Sequence, residues 1–546
     1  MSYRLLLLVA GLISYGCLLP SDYLVQDGHA YFYLLQYHHL NDLREFFGEV
    51  GRPWLSEILA PFASCAHVLV AFKSLSLLLV IGSAWLIDGI GVKSTFLNRH
   101  QSFLLALLAL VVPAFKLYGD PSVFCYILSS FLFWMGLYLA LLSREIGLSV
   151  RMLFRALGLI CFAVSFTTQS CLVFYLGVPV FLILIDLKKG MQFDLRGLFQ
   201  WGMRHLDFLI LPLIVGMIIH QHSHGTGVYA SYNDPKFSLS HLFAGVKTLI
   251  AEGVVRQAND LLRTLCREPL QLVALIMFVL WMRERKCSSD RSLLTFSVSV
   301  TSMTLFALAL LVLGIAPYIL VGREFAAYGW YTRNSLLLPV PFAILLLALI
   351  QKSSQGLNLR QYSIITPCIL IFIVGCMMVD AGNVMSWQAN RVKELAIRQA
   401  VLDYDRGNTF SVVIIRDEFK VAHTIERYTP IALTFVLGEP NIGIHRLGLE
   451  DPEILAQDYS GASLADEGKK YSVDYIKDLI TKTTMDFALS GIDPDGGQML
   501  LSIRPRFPLR RSADIAIQYW IYKLFQPEKL QEFINKSAII KITELK

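Results

Sequence analysis

Charge is what this sequence has least of. Of its 546 residues only 16% are charged, against the quarter usual in soluble domains, while 55% are apolar and the mean hydropathy is +0.54. That scarcity excludes an ordinary soluble domain. The net charge of +6 gives no nucleic-acid-tracking stripe, because the basic residues cluster in short loops between apolar runs. Nine cysteines occur, with no C-x-x-C pair, no zinc-ligand spacing and none after Cys376, so the C-terminal region has no disulfide framework. No tandem repeat or low-complexity tract is visible. A cleavage signal is missing as well: Ser14 stands three before Cys17 where a branched apolar residue would be required, and no Ala-x-Ala site follows. The first apolar run therefore reads as an uncleaved helix.

What is present in abundance is apolar runs of membrane-crossing length. They fall at roughly 3–20, 61–88, 101–118, 121–143, 152–169, 171–187, 205–222, 269–282, 292–318, 334–351 and 361–380, about eleven spans. With the N-terminus cytoplasmic, the inner loops carry Lys93 and Arg99, Arg144 and Arg151, Lys188 to Arg204, Arg283 to Arg291, and Lys352 and Arg360. Every one of them is basic. The 21–60 loop on the other side carries Asp22, Asp27, Asp42, Glu45, Glu49 and Glu57 against Arg44 and Arg52. The expectation is a polytopic α-helical membrane protein. Its transmembrane module, 1–380, has outer loops at 21–60, 223–268 and 319–333. From 381 to 546 charges become frequent and short strand-like pieces such as 409–415 and 499–503 alternate with helix-like stretches at 388–404 and 470–483, which predicts an extracytoplasmic mixed α/β domain.

The outer loops hold the residues that can do chemistry. Val25-Gln-Asp-Gly-His-Ala-Tyr-Phe-Tyr33 places a carboxylate, Asp27, at the mouth of the first span among aromatics that tend to raise its pKa. A solvated loop aspartate is the plainer reading by residue type alone. Asp42, Glu45 and Glu49 share a face if 38–49 is helical, with Leu40, Leu43, Phe46 and Phe47 turned to lipid and Arg52 in reach of Glu49. Arg256, Arg263 and Arg267 suit anionic headgroups along an interfacial helix. His220, His222 and His224 would line one side of an extended strand, but no carboxylate or cysteine stands near to complete a metal set. Arg323 and Arg333 flank an aromatic outer loop, Arg333 where the tenth span begins. Snorkelling to lipid phosphate is one reading of it; bidentate grip on a substrate phosphate is the other.

Asp27 after the first span, Gly51-Arg-Pro-Trp54 before the second, and the Arg333-to-Pro339 entry to a late span resemble membrane glycosyltransferases of the GT-C superfamily. The resemblance covers the topology of the membrane region; its residue signatures are short. It implies a polyprenyl-phosphate-linked sugar as donor, a glycan, lipid or protein acceptor, membrane lipids as surroundings and no nucleic acid. It implies Asp27 as general base, Arg333, Arg323 and Arg52 on the donor phosphate, and His29, Glu49 and Tyr31 as orienting or sugar-binding groups. Many members show two adjacent acids in the first loop, whereas Gly28 follows Asp27 here; no metal ligand is assigned and a divalent cation stays open. The Gly-Arg-Pro-Trp turn leans toward bacterial enzymes that decorate surface polysaccharide or lipid, hence an inner (cytoplasmic) membrane with the site facing out. A transporter or flippase for lipid-linked saccharides would need ionisable groups at mid-membrane depth, for which Lys73 is the one deep candidate. An oligosaccharide ligase or polymerase has similar topology and similar arginines, and a non-enzymatic scaffold would use the outer domain alone.

Overall fold

The computed structural model describes residues 2–25, 27–36, 38–49, 52–145, 147–190, 194–222, 238–267, 298–323, 325–328, 330–354, 359–404, 410–417, 497–506 and 512–545. Five helices among them are long and apolar enough to cross a membrane: Val68–Lys93, Pro121–Leu142, Gln169–Lys188, Val300–Leu320 and Pro367–Ala400. A sixth is the pair Leu195–Arg204 and Leu206–Gln221, bent by 64°. Shorter apolar helices occupy Tyr3–Leu18, Arg99–Val111 and Pro339–Ser354. Large apolar side chains stand exposed on these helices, among them Leu78, Leu213, Leu305, Val312 and Leu349. Water would not tolerate so many, and lipid requires them. The chain is an integral membrane protein.

Ten of the eleven expected spans coincide with helices; the run at 269–282 lies outside the described residues. The boundaries shift for local reasons. Arg99–Val111 begins at a capping box, Asn98 with Gln101, and stops before Pro113, which holds Val112 extended. Residues 112–120 are therefore a connection and not the end of a span. The 61–88 run begins as a helix only at Val68, after a short 3-10 turn Ala60–Ser64 containing Pro61. The tenth helix starts at Pro339, so Arg333 sits not at its start but in a separate 3-10 turn, Trp330–Ser335.

The last span does not end where the hydrophobic run ends. Leu359–Tyr404 is one helix of 46 residues, roughly 70 Å at 1.5 Å per residue, more than twice a ~30 Å hydrocarbon core. Residue 380 thus lies inside a continuous helix, and the turns after it are buried, with Asn383 on Lys116 O and Gln388 on Asp22. Beyond it, the described residues form a three-stranded sheet in the order β1 (Phe410–Asp417), β2 (Gly497–Pro505), β3 (Ala538–Leu545), with β1 parallel and β3 antiparallel to β2. Helices Ser512–Phe525 and Pro527–Ser537 pack back on the long helix. The expected 470–483 helix lies outside the described residues.

Candidate active site

Residues 21–25 have no regular secondary structure, yet the segment is fixed from several sides. Lys73, fully buried in the second turn of Val68–Lys93, donates to Ser21 O at 2.9 Å, Ser21 Oγ at 3.1 Å and Tyr23 O at 3.0 Å, with its ammonium 4.1 Å from the Tyr23 ring centre. Its charge is spent on the first loop, which removes the deep ionisable group that a transporter reading would need. Asp120, at the other flank, is also fully buried. Its carboxylate accepts the Val25 N–H at 2.7 Å, the Ser122 N–H at 3.0 Å and the Ser122 hydroxyl. Asp120 caps the short turn Pro121–Val123, with proline in the first position where no N–H is needed.

Asp27 opens the helix Asp27–Gln36, and Gly28 lies directly on Asp120: a Cβ built on Gly28 would meet the Asp120 carboxyl carbon at 2.7 Å and its oxygens closer still. A second acid does stand at the start of this helix, but it comes from position 120 through space and not from position 28. The sequence reading missed it. The available signal was Gly119-Asp-Pro-Ser, a cap motif at the start of a span, which marks a turn and not a partner. Burial pushes the Asp120 carboxyl up to about 6, although the Ser122 and Val25 hydrogen bonds and the Lys73 charge pull it down.

The other expected site residues are placed as follows. Tyr31 is buried in an aromatic contact with Phe46 and Phe47 (ring centres 5.7 and 5.2 Å). Leu43 and Phe47 are buried as well, so the apolar face of Leu40–Glu49 packs on protein and not on lipid. Asp42 and Glu45 are exposed on its outer side. The side chains of Asp27, His29 and Glu49, and Gly51, lie outside the described residues. Arg52 is half-buried; its backbone N–H donates to Phe47 O at 2.7 Å, and its charge reaches the Cys125 thiol at the head of the Phe124–Leu142 helix. Arg323 is half-buried after Val300–Leu320, its N–H on Tyr318 O at 2.8 Å. Arg333, half-buried between the buried Thr332 and Asn334, acts electrostatically on the Tyr318 hydroxyl. Arg323 meets Tyr318 through its backbone and Arg333 meets the Tyr318 hydroxyl through its charge, while Gly28, next to Asp27 in the chain, packs on Asp120.

A buried ionic cluster ties these loops together. Lys116, in the 112–120 connection, stands 4.0 Å from Asp260 and 4.4 Å from the Tyr328 ring centre; Arg256 stacks on the same tyrosine at 4.9 Å. The Tyr328 hydroxyl donates to Asp260, and Asn383 of the long helix donates to Lys116 O at 2.9 Å. Arg256 also pairs with Glu252 at 2.9 Å, so it is a protein contact and not a free headgroup ligand. Among the described residues the Lys116 ammonium has no hydrogen-bond partner. Burial lowers its pKa to about 8, with Asp260 and Asp380 opposing that shift.

A lysine held below its unfolded value near 10.4 carries its charge in the fold only below pH 8, and that charge depends on Asp260. Asp260→Asn should therefore destabilise the protein by up to about 2 kcal/mol at pH 6.5, the most that a proton held about 1.5 pH units below the pKa is worth. The deficit should shrink as pH rises through 8 and Lys116 loses its proton. Thermal melts in detergent at pH 6.5 and pH 9 check this; an equal deficit at both values would show that Asp260 does not compensate Lys116.

Other ion pairs join helix ends: Arg144 with Asp186 at 2.6 Å, Arg155 with Asp207, and Arg99 with the buried Asp88 at 2.6 Å. His220 and His222 lie at the end of the helix Leu206–His222 and not on a strand, so alternate spacing does not align them; His224 lies outside the described residues. Among the described residues no group of three His, Cys, Asp or Glu side chains forms a metal site.

No protein-family model matches the chain, and no curated protein matches it. Among solved structures it is similar to the crystal structure of ArnT from Cupriavidus metallidurans bound to undecaprenyl phosphate. The two share 11% identity over 91% of this chain and 92% of that one, with a TM-score of 0.40, a likeness too weak to fix fold or reaction.

Proposed function

We propose that the protein is an integral-membrane glycosyltransferase that moves a sugar from a polyprenyl-phosphate carrier to an extracytoplasmic glycan, lipid or protein acceptor. The observation that supports this reading most is the construction of the backbone that leads to Asp27: residue 27 opens a helix, Gly28 packs on the buried Asp120, and the segment before it is clamped by Lys73 and Asp120. Such effort to hold one acid in place suits a general base that must meet an acceptor hydroxyl within about 3 Å. Outside the cytoplasm no nucleotide-sugar supply exists, so the activated sugar arrives on a lipid.

In the proposed reaction Asp27 takes the proton of the acceptor hydroxyl as its oxygen attacks the anomeric carbon. The bond from that carbon to the donor phosphate breaks, and the polyprenyl phosphate leaves as an anion. Arg333 and Arg323, at the 319–335 loop, with Arg52 from the first loop, neutralise the charge that grows on the leaving phosphate. Asp120 holds the Val25 N–H and seats Gly28, so it positions Asp27. His29 and Tyr31, on the helix that Asp27 opens, and Glu49, at the end of the next, are proposed as orienting or sugar-binding groups. No residue is assigned to a metal; chelator tests whether a divalent cation assists transfer.

The deciding experiment is transfer of radiolabelled sugar from a panel of synthetic polyprenyl-phosphate sugars by the purified protein, with and without chelator. Transfer that survives in Asp27→Asn would sink the assignment. Arg333→Lys keeps the charge but loses the planar fork, so it should lower kcat/KM for the donor about tenfold, with most of the loss in kcat. An unchanged kcat/KM would remove Arg333 from the leaving phosphate.

A further inference from the structure

Asp22 stands five residues before Asp27 and binds groups that are remote in sequence. Its N–H donates to Gln388 Oε1 at 2.9 Å, and its carboxylate accepts from Gln388 Nε2 at 2.8 Å, from the Tyr519 hydroxyl at 2.5 Å and from the Lys523 ammonium at 3.2 Å. Gln388 belongs to the long helix; Tyr519 and Lys523 belong to Ser512–Phe525, at the far end of the chain. Tyr519 and Gln388 are buried, and Lys523 also lies 5.7 Å from the Tyr519 ring centre. Burial alone would raise the Asp22 pKa, but Lys523, Arg391 and the hydrogen bonds from Tyr519 and Gln388 hold it below the usual carboxylate value. Asp22 is therefore a charged acceptor at neutral pH, and a charged acceptor makes the stronger kind of hydrogen bond.

We propose that the C-terminal helix Ser512–Phe525 is a positioning element for the catalytic loop: through Tyr519 and Lys523 it grips Asp22 and sets where Asp27 stands. The proposal rests on Asp27 as the base. Residues 21–25 make no helix or strand, and only Ser21, on Leu18 O, and Val25 O, on the Gly28 N–H, tie them to their chain neighbours. Besides the Tyr23 hydroxyl on Tyr118 O at 2.7 Å, four outside grips hold them: Lys73 on Ser21 and Tyr23, Gln388 and the Tyr519–Lys523 pair on Asp22, and Asp120 on Val25. Three of these come from the helix bundle and its connections. The fourth comes from the C-terminal region, and it links the state of that region to the geometry of the base. Whatever loads or shifts the C-terminal region then acts on turnover without touching substrate.

The test uses full-length protein in detergent, with Tyr519→Phe, Lys523→Met and the double variant. Leu524→Ala, on the exposed side of the same helix, is the control. Lys523→Arg is the conservative replacement. Two readouts are taken: amide hydrogen exchange over residues 21–28, and kcat and KM for the lipid-linked donor. The double variant should exchange those amides about tenfold faster and lose about fivefold in kcat, with donor KM within about twofold of wild type. Lys523→Arg should restore most of both losses, and Leu524→Ala should change neither. Unchanged exchange in the double variant overturns the grip. Faster exchange with unchanged kcat overturns its role in positioning. If wild-type protein transfers no sugar from any donor, the exchange arm still decides the grip, and only the base assignment falls. Should Tyr519→Phe not fold, Lys523→Met, at a half-exposed position, carries the same two readouts alone.

Discussion

Asp27→Asn should reduce sugar transfer by about 10²–10⁴-fold, the range a lost general base produces. The replacement keeps size and one acceptor oxygen but cannot take a proton. Its structural cost is small. Asp27 is the first residue of its helix, where a negative charge is favoured by the helix dipole by about 0.3–1 kcal/mol at most exposed sites. Asn is also well tolerated at a helix start. The melting temperature should therefore move by only a few degrees while activity collapses, and donor binding, measured by retention of a non-transferable polyprenyl phosphate, should persist. That separation is the signature of a group used in the transition state more than in the ground state. A collapse of melting temperature in parallel with activity would place Asp27 in the scaffold instead.

How much of this could be read from the sequence depends on whether the signal is local. Spans are local: an apolar run bounded by charges states its own position, and Tyr3–Leu18, Val68–Lys93 and Pro121–Leu142 all lie on or near expected runs. Ends are less legible, because a proline such as Pro113 stops a helix inside a run that hydropathy alone would continue. The long helix shows the opposite error. Hydropathy falls after residue 380 while helix propensity does not, and the helix continues to Tyr404 because its polar stretch is buried against the first loop and the C-terminal helices.

The site was half legible. Asp27 and the arginines announce themselves as charges in outer loops. Asp120 and Asp22 each read as an ordinary charge near a span end, and Lys73 reads as a deep charge in an apolar run. Their roles lie in partners about 50 to 500 residues away, such as Ser21 for Lys73 and Tyr519 for Asp22. The strand Ala538–Leu545 was passed over for a similar reason, since its short alternating run acquires meaning only beside β2. Lys73 shows the hazard most plainly. As a lone lysine in an apolar run it suggests a transport path; with three oxygens around it, it is a clamp.

The second large effect is expected at Gly28, where the sequence seems to lose an acid and the structure shows why no side chain is tolerated. Gly28→Ala places a methyl into the Asp120 carboxylate, well inside contact distance. Neither side can yield cheaply. Asp120 is fully buried and held by Ser122 and Val25, and Gly28 N–H is bonded to Val25 O at 2.8 Å. The strain must then appear as a shift of the helix start that carries Asp27. Displacement of a reacting group by about 1 Å costs on the order of 10²-fold in rate. Overpacking of this kind costs about 1–3 kcal/mol in stability. Gly28→Ala should therefore lower kcat about a hundredfold with donor KM nearly unchanged, although residue 28 has no functional group to remove. The pairing with Asp120 makes the cause testable. Asp120→Ala opens the space that the methyl needs, so the two substitutions should be strongly non-additive, and the double variant should be no worse than Asp120→Ala alone. Additive losses would mean that Gly28 acts through something other than Asp120. A wild-type rate in Gly28→Ala would mean that the helix start can move without moving the base, and the construction around Asp27 would then lose its functional reading.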